Sequence, residues 1–469
     1  MVSSRNATII VAALAATALL LAVRTGLTLN SGGNKLAIML PFAVPVGLAL
    51  AGLALTRFEW FVLVLLAARA SLDSTKLSPE SNKLSLSGAS APVHGLDPSA
   101  FIAVGLILAG ALWLTWRHSN VASKPPPLER MLCLFVAIWS VSIIGSDRPL
   151  TSLIEAVRIL AVVVMLMVLD RLLTDMRRVK AMLVAVFASA IVPLLVAAYQ
   201  AASTHGRFVS GGYSRIRGTF LHPNPYAIYL TFIIAMGVAL LPHLKGKTRV
   251  SLLVLLCGCG VALVLTYTRT GWIATILALV VVGILQSKRL LGILFLGGLI
   301  ALVAVPSIVG RFSDLSHSQT TSGAAGNSLI WRLDYWTQML PLIKRDPATG
   351  IGLKMVQYNT LEQKAPHNDF VRAIVETGVL GLVAYLCLLV VIVRTARDAL
   401  RRAPPGLERG IAVGFAACVV AFLAMSLVAN IVSQVVLLWY FFAFAAAAIA
   451  VTRMSQPAVP ELQDELVGV

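Results

Sequence analysis

The amino-acid sequence predicts an all-α integral membrane protein, a polytopic bundle of about 12–14 transmembrane helices with one long outer loop containing short helices. Composition is the first reason: 58% of the 469 residues are hydrophobic and only 12% are charged, whereas a soluble domain carries about 25% charged residues. The second reason is the length of the apolar stretches. They run to about 20 residues, as spanning helices do, and do not alternate over about ten residues like barrel strands.

The apolar stretches give about fourteen candidate spans when each span needs roughly 20 residues. They lie at 7–23, 36–56, 58–71, 99–116, 130–145, 152–169, 180–202, 224–243, 250–267, 272–286, 289–308, 371–393, 410–430 and 433–452. The stretches at 58–71 and 272–286 are short enough to be re-entrant or half-spans, so about twelve full spans are also compatible with the sequence. We expect the first stretch to be an uncleaved helix, because no small-x-small cleavage site precedes a soluble domain.

Basic residues in alternate loops set the predicted orientation, because short loops rich in lysine and arginine stay in the cytoplasm. Such loops follow the spans that end near residues 116, 169, 243, 286 and 393. Both termini are then cytoplasmic, and the segments around 72–98, 203–223, 268–271 and 311–369 lie outside. The chain divides into N-terminal transmembrane helices (1–308), a long outer loop (309–370), and C-terminal helices with a cytoplasmic tail (371–469).

Several arginines lie in the outer segments, against the preference of basic residues for cytoplasmic loops. They are Arg207, Arg215, Arg217, Arg269, Arg311, Arg332 and Arg345. Cations retained on the disfavoured side indicate an anionic ligand. The net charge of +18 does not indicate nucleic acid, because the basic residues are scattered at the ends of spans and form no soluble basic face.

Two arginine motifs border apolar stretches. Arg215 and Arg217 precede Gly-Thr-Phe and a His-Pro-Asn-Pro turn in which Asn224 is expected to cap the next helix. Arginine forks and helix N-termini both favour phosphate, although anchoring to the headgroups of membrane lipids is an alternative role for these arginines. Arg269 joins two apolar stretches with no room for a loop, and a charge there must be solvated or paired.

The motif with the clearest chemistry is His367-Asn368-Asp369, followed by Gly378 and Gly381 at the start of an apolar stretch. Imidazole titrates near neutrality, so His367 is the candidate general base. Capping a helix or lying at the membrane interface is the alternative role for this histidine. We expect the two glycines to permit close helix approach and hence a tightly held site.

Other features of the sequence narrow the candidate chemistry. Arg158 is a supporting candidate, although an i,i+3 ion pair with Glu155 would also explain it. Residues 331–340 have the spacing of an amphipathic helix on the membrane surface. There is no phosphate-binding loop of the nucleotide-hydrolase type, and no metal-ligand cluster in the outer loops, so neither a metal nor another cofactor is expected. The five cysteines all lie inside apolar stretches, where they act as packing residues.

These motifs resemble the bacterial O-antigen ligase family, which is grouped with O-antigen polymerases and protein O-oligosaccharyltransferases. The resemblance rests on Arg-x-Gly-Thr-Phe with Asn-Pro, on the Thr-Arg-x-Gly turn, on a long outer loop with Arg332, and on His-Asn-x9-Gly-x-x-Gly. It covers about residues 150–390. The histidine motif is its most specific part and favours a ligase over a polymerase.

The resemblance implies a reaction on the outer face of the bacterial inner membrane. The donor would be a glycan on undecaprenyl pyrophosphate, and the acceptor a sugar hydroxyl of lipid A–core oligosaccharide. His367 matches the family's essential histidine. Arg215 or Arg217, Arg269 and Arg332 match positions expected to hold the pyrophosphate, and Asn368, Asp369 and Asn224 would support them.

Two alternatives remain open at this point. A polymerase or a protein O-oligosaccharyltransferase would use the same donor with another acceptor. A transporter or flippase for lipid-linked sugar belongs to a different class, and charges deep inside several spans would favour it. In this sequence the charges gather at one membrane face.

Orientation is the first testable prediction. Because the basic residues alternate between loops, reporter fusions within 311–369 should report a periplasmic location, and fusions at both termini a cytoplasmic one. A cytoplasmic signal from the 311–369 fusions would overturn the predicted orientation.

Overall fold

The computed structural model describes residues 35–75, 98–117, 125–203, 205–210, 213–292, 296 and 328–456. Within these ranges the chain is mostly helical, which confirms the predicted fold class. The predicted span at 7–23, most of the one at 289–308 and most of the 72–98 loop lie outside the described residues.

Fifteen long or short α-helices and one hairpin make up the described part. The helices are α1 (Lys35–Thr56), α2 (Phe58–Arg69), α3 (Pro98–Arg117), α4 (Pro127–Val141), α5 (Pro149–Leu172), α6 (Met176–Ala188), α7 (Ile191–Ser203), α8 (Pro223–Leu240), α9 (Gly246–Leu265), α10 (Arg269–Gln286), α11 (Ser328–Ile343), α12 (Val356–Asn359), α13 (Asp369–Arg402), α14 (Leu407–Ser426) and α15 (Val435–Met454). The hairpin joins β1 (Phe208–Ser210) and β2 (Tyr213–Arg215), with Val209 opposite Ser214. Short 3₁₀ turns follow α2 at Ala70–Thr75 and α8 at Leu241–His243.

Eight of the described helical segments are long and apolar enough to cross a membrane, so the protein is a polytopic membrane protein. One of them, Met176–Ser203, contains α6 and α7 with a break between them. Pro193 lies in the first turn of α7 and has no N–H to continue the hydrogen bonds of α6. The predicted half-span at 272–286 is part of the full-length candidate α10. The total of about 12–14 spans stays a prediction.

The most buried helices form the centre of the bundle. Helices α8, α14 and α15 are apolar around their whole circumference and lie largely inside the protein, as expected of a helix surrounded by others. Helix α14 packs against α8 and α10, and α15 packs against α5. Helices α9 and α10 lie at the edge, with apolar side chains exposed.

The loops meet in two groups, one at each end of the bundle. At one end, the basic end, ion pairs tie neighbouring turns together: Arg171 with Glu129, Arg453 with Asp170, and Arg178 with Glu59. At the other end, the site end, Thr219 donates to the carbonyl of Ala70 at 2.8 Å, and the turn after α14 donates to Asp369. Parts of two segments that were predicted to lie outside, 203–223 and 311–369, thus lie at the site end.

Helix α13 is broken at Gly378, where φ is +64° and ψ is −169°. Residues 346–352, here called the crossing segment, pass through this break. The backbone N–H of Val379 donates to Pro347 at 2.9 Å, and the N–H of Gly352 donates to Glu376 at 3.0 Å. The expectation that Gly378 permits close helix approach is therefore wrong, because this glycine admits a loop backbone. At Gly381 a close approach does occur, since the indole of Trp139 on α4 donates to its carbonyl at 3.0 Å.

The break predicts a specific sensitivity to substitution. A Cβ at Gly378 would lie 2.3 Å from the carbonyl oxygen of Ala348, and the positive φ alone costs an alanine roughly 1–3 kcal/mol. Gly378→Ala should therefore lower the melting temperature of the detergent-solubilised protein. Gly105→Ala is the matched control, because nothing lies within 4 Å of a Cβ there, and it should leave the melting temperature unchanged or raised. Equal melting temperatures for both variants would contradict this account of the break.

Candidate functional site

Helix α11 holds the segment that carries His367. We call residues 360–367 the histidine segment. The hydroxyl of Tyr335 donates to the carbonyl of Lys364 at 2.6 Å, and the indole of Trp336 donates to Pro366 at 2.6 Å. The ring of Trp331 lies edge-on to the His367 imidazole, with 5.7 Å between centroids. Residues 331 and 335 share a helix face, so this face fixes the position of the histidine.

The predicted amphipathic helix at 331–340 is present in α11, but its apolar face packs against protein. Tyr335 and Met339 are fully buried with Ile351 of the crossing segment, Met355 just before α12 and Val375 of α13. The prediction that this face lies on the membrane surface is wrong for these side chains, because the protein itself covers them.

The residues after His367 anchor the backbone. His367 has φ +54°, a left-handed conformation that histidine tolerates better than most residues. The Asn368 side chain then caps α13 by accepting from Phe370 N–H at 2.8 Å and Val371 N–H at 3.1 Å. The fully buried Asp369 carboxylate accepts from the backbone of Ile431 at 3.1 Å. Asn368 and Asp369 thus support the site by fixing the direction in which the chain leaves His367.

Arg215 lies at the end of β2 and connects three loops. Its Nε donates to the carbonyl of Thr266 at 2.7 Å, and its Nη2 donates to Asn224 at 2.8 Å and Thr268 at 2.7 Å. The prediction that Asn224 caps α8 is wrong. The cap is His222, whose Nδ1 accepts from the Asn224 N–H at 3.1 Å, which leaves the Asn224 side chain to accept from Arg215.

Arg217 has a different environment. Its Nε and Nη1 donate to the carbonyls of Gly206 and Leu221 at 3.1 and 3.0 Å. The backbone N–H groups of Arg217 and Gly218 both donate to the Gln200 side chain. Arg217 is half-buried while Arg215 is buried, and burial lowers the pKa of the Arg217 guanidinium.

Arg332 lies one position after Trp331 on α11. Its Nε is buried and has no hydrogen-bond partner among the residues that the structure describes. Burial, followed by repulsion from Arg269, lowers the pKa of Arg332. A desolvated cation with an unsatisfied donor is costly unless an anion binds beside it. The pair formed by Arg332 and Arg269 therefore fits an anionic ligand.

Electrostatic coupling links the two histidines to these cations. Burial lowers the pKa of His367 to about 4, with further lowering by Arg332 and Lys364. Burial also lowers the pKa of His222 to about 3, helped by Arg215, His367 and Arg217. The predicted site residues on the hairpin, on α10, on α11 and before α13 therefore lie in one cluster at the site end. His367 is neutral at physiological pH, with neither ring nitrogen hydrogen-bonded to a described residue.

A buried charge network that the sequence analysis did not identify lies beneath His367. Arg372, on the first half of α13, donates to Glu376 at 2.8 Å and to Glu155 of α5 at 3.1 Å. Glu376 also accepts the backbone N–H of Lys354 at 2.8 Å. Arg158 pairs with Glu155 at 3.5 Å, so the ion pair that was the alternative explanation for Arg158 is present. The sequence did contain a signal of this network, because Arg372 and Glu376 lie four residues apart in a predicted span.

The described residues provide neither a group of metal ligands nor a disulfide. Within the described ranges, no group of three or more histidine, cysteine, aspartate or glutamate side chains is placed to hold a metal ion. The five cysteines are free thiols, and Cys259 and Cys418 are buried.

The fold and this cluster define a polytopic membrane protein with a neutral imidazole and several arginines gathered at one end of its helical bundle. Residues 252–386 match the family model described as O-Antigen ligase. The match covers less than a third of the 469 residues, and it makes this part of the chain similar to O-antigen ligases. No curated protein matches the chain.

The cluster predicts how His367 responds to its neighbour. Arg332→Ala removes a positive charge that disfavours the imidazolium, so the pKa of His367 should rise from about 4 when measured by NMR titration of the ring. Arg345→Ala is the control, because Arg345 pairs with Asp147 and does not act on His367. An unchanged titration in Arg332→Ala would place this arginine away from the histidine.

Proposed function

We propose that this protein is an O-antigen ligase of the bacterial inner membrane. It transfers a glycan from undecaprenyl pyrophosphate to a sugar hydroxyl of lipid A–core oligosaccharide, on the periplasmic face. The observation that carries the proposal is the convergence of His367 with Arg332 and Arg269. In this proposal the site combines a base with cations suited to a pyrophosphate. It lies at a membrane interface, where lipid-linked substrates can enter laterally from the bilayer.

In the proposed reaction His367 is the general base. A ring nitrogen takes the proton of the acceptor hydroxyl while its oxygen attacks C1 of the donor sugar. The bond between C1 and the phosphate oxygen breaks, and its electron pair leaves with undecaprenyl pyrophosphate. Attack from the face opposite the leaving group inverts the configuration at C1.

The arginines act on the leaving group. Pyrophosphate leaves readily once its growing negative charge is compensated, and planar guanidinium groups can hold two phosphate oxygens at once. Arg332 and Arg269 are assigned this role. Arg215 is assigned to the same cluster as a residue that fixes the hairpin and Asn224, and Arg217 as the more open of the two hairpin arginines.

Donor binding also prepares the base. An imidazole with a pKa of about 4 is a weak base, and its pKa is low partly because Arg332 and Lys364 are close. The negative charges of a bound pyrophosphate offset those cations and raise the pKa of His367. The histidine thus becomes an effective base after the donor has bound, which disfavours deprotonation of the acceptor in its absence.

The division of roles makes separable predictions. His367→Ala should abolish transfer and leave donor affinity largely intact, because the imidazole acts on the acceptor proton. Arg332→Ala and Arg269→Ala should weaken donor binding by roughly ten-fold or more and also slow transfer. The lysine variants should recover only part of the loss, because lysine lacks the planar fork.

These roles are tested by measuring donor affinity and transfer rate on the same purified variants, with Arg345→Ala as the control arginine. Normal transfer by His367→Ala would exclude it as the base. Wild-type donor affinity in both arginine variants would exclude the proposed pyrophosphate site.

The proposal as a whole is tested by reconstitution. Purified protein with undecaprenyl-pyrophosphate-linked glycan and rough lipopolysaccharide should produce a ladder of extended lipopolysaccharide without nucleotide and in the presence of EDTA. Longer lipid-linked glycan in place of the ladder would indicate a polymerase, and glycosylated protein an oligosaccharyltransferase. Loss of the ladder in EDTA, with recovery on adding magnesium or manganese, would contradict the metal-independent mechanism.

A further inference from the structure

His222 is a second histidine at the site end, and its protonation is fixed by a backbone contact. Its Nδ1 lies 3.1 Å from the backbone nitrogen of Asn224, at the N-cap position of α8. A backbone N–H can only donate, so Nδ1 must carry the lone pair. The proton of the neutral imidazole is therefore on Nε2.

The Nε2–H group is left for a ligand. It has no hydrogen-bond partner among the described residues. Two other contacts hold the His222 ring in place. The N-cap bond fixes one edge, and Phe208 of β1 contacts the ring edge-on with 4.4 Å between centroids. Since both contacts orient the ring, the free donor has a defined direction.

The charges around His222 identify the ligand class. Burial first, and then the charges of Arg215 and Arg217, lower the pKa of His222 and disfavour the imidazolium, which keeps the ring a neutral donor. A neutral N–H beside two guanidinium groups suits a phosphate oxygen.

We propose that His222 is a substrate-binding residue whose Nε2–H donates a hydrogen bond to a phosphate oxygen of the bound undecaprenyl pyrophosphate. This inference rests on the proposed function. It also separates the two histidines chemically, because the neutral ring of His367 has one nitrogen available to accept a proton, whereas the Nε2 of His222 already carries one.

Two substitutions separate ligand binding from helix capping. His222→Ser keeps a good N-cap oxygen but ends short of the Nε2 position. His222→Gln can place an amide N–H near that position but is a poor N-cap. His243→Ala, at the basic end where His243 contacts Gln286, is the control for loss of a histidine.

The experiment measures the affinity of each purified variant for undecaprenyl pyrophosphate in detergent micelles, together with its melting temperature. His222→Ser should bind roughly 10–100-fold more weakly, as expected for a hydrogen bond to a charged group, at a nearly unchanged melting temperature. His222→Gln should melt lower and retain more affinity than His222→Ser. His243→Ala should bind like wild type.

The possible failures are distinguishable. If His222→Ser binds like wild type while Arg332→Ala binds weakly, the His222 assignment is overturned and the proposed function stands. If affinity falls only in step with melting temperature across the His222 variants, the histidine is a helix cap alone, which also overturns the assignment. If the wild-type protein does not bind undecaprenyl pyrophosphate, both the assignment and the proposed function fail.

Discussion

The guanidinium of Arg372 connects the parts of the protein on which the site depends. It bonds Glu155 of α5 and Glu376 of its own helix, and it lies over the ring of Trp139 on α4. All three charged side chains are almost completely buried. Removing one partner from such a network leaves an uncompensated charge and costs about 3–5 kcal/mol. The network therefore fixes the first half of α13, and with it His367 immediately before that helix.

The crossing segment completes this arrangement. Glu376 accepts from Lys354, and the backbone of the crossing segment takes the hydrogen bonds released by the break at Gly378. The loop after α11 is thus attached to α13 in two places, at Glu376 and at the break. The aromatic face of α11 holds the histidine segment. The proposed base, although it lies on a long loop, is held with the rigidity of a helix, as a catalytic role would require.

The sequence predicted the members of the cluster because polar elements separated along the chain were all expected to end on the same membrane face. It did not predict the local contacts that join them. The role of Gly378 depends on the crossing segment, which lies about 30 residues earlier and whose backbone enters the helix. Hydrophobic periodicity does not reveal such a contact. The partner of Arg372 on α5 lies 217 positions away, so only the local i,i+4 pair with Glu376 was visible. His222 and Asn224 are both able to cap a helix, and backbone geometry decides between them.

The central claim is that burial and nearby cations keep His367 neutral, and that a bound pyrophosphate offsets the cations. Its most direct test is the pKa of His367, measured by NMR on the ring in the presence and absence of undecaprenyl pyrophosphate. The account predicts a pKa near 4 in the free protein and a clear rise toward the ordinary histidine value when the donor lipid is bound. A pKa that stays the same on binding would show that the pyrophosphate does not lie beside this histidine and would contradict the account.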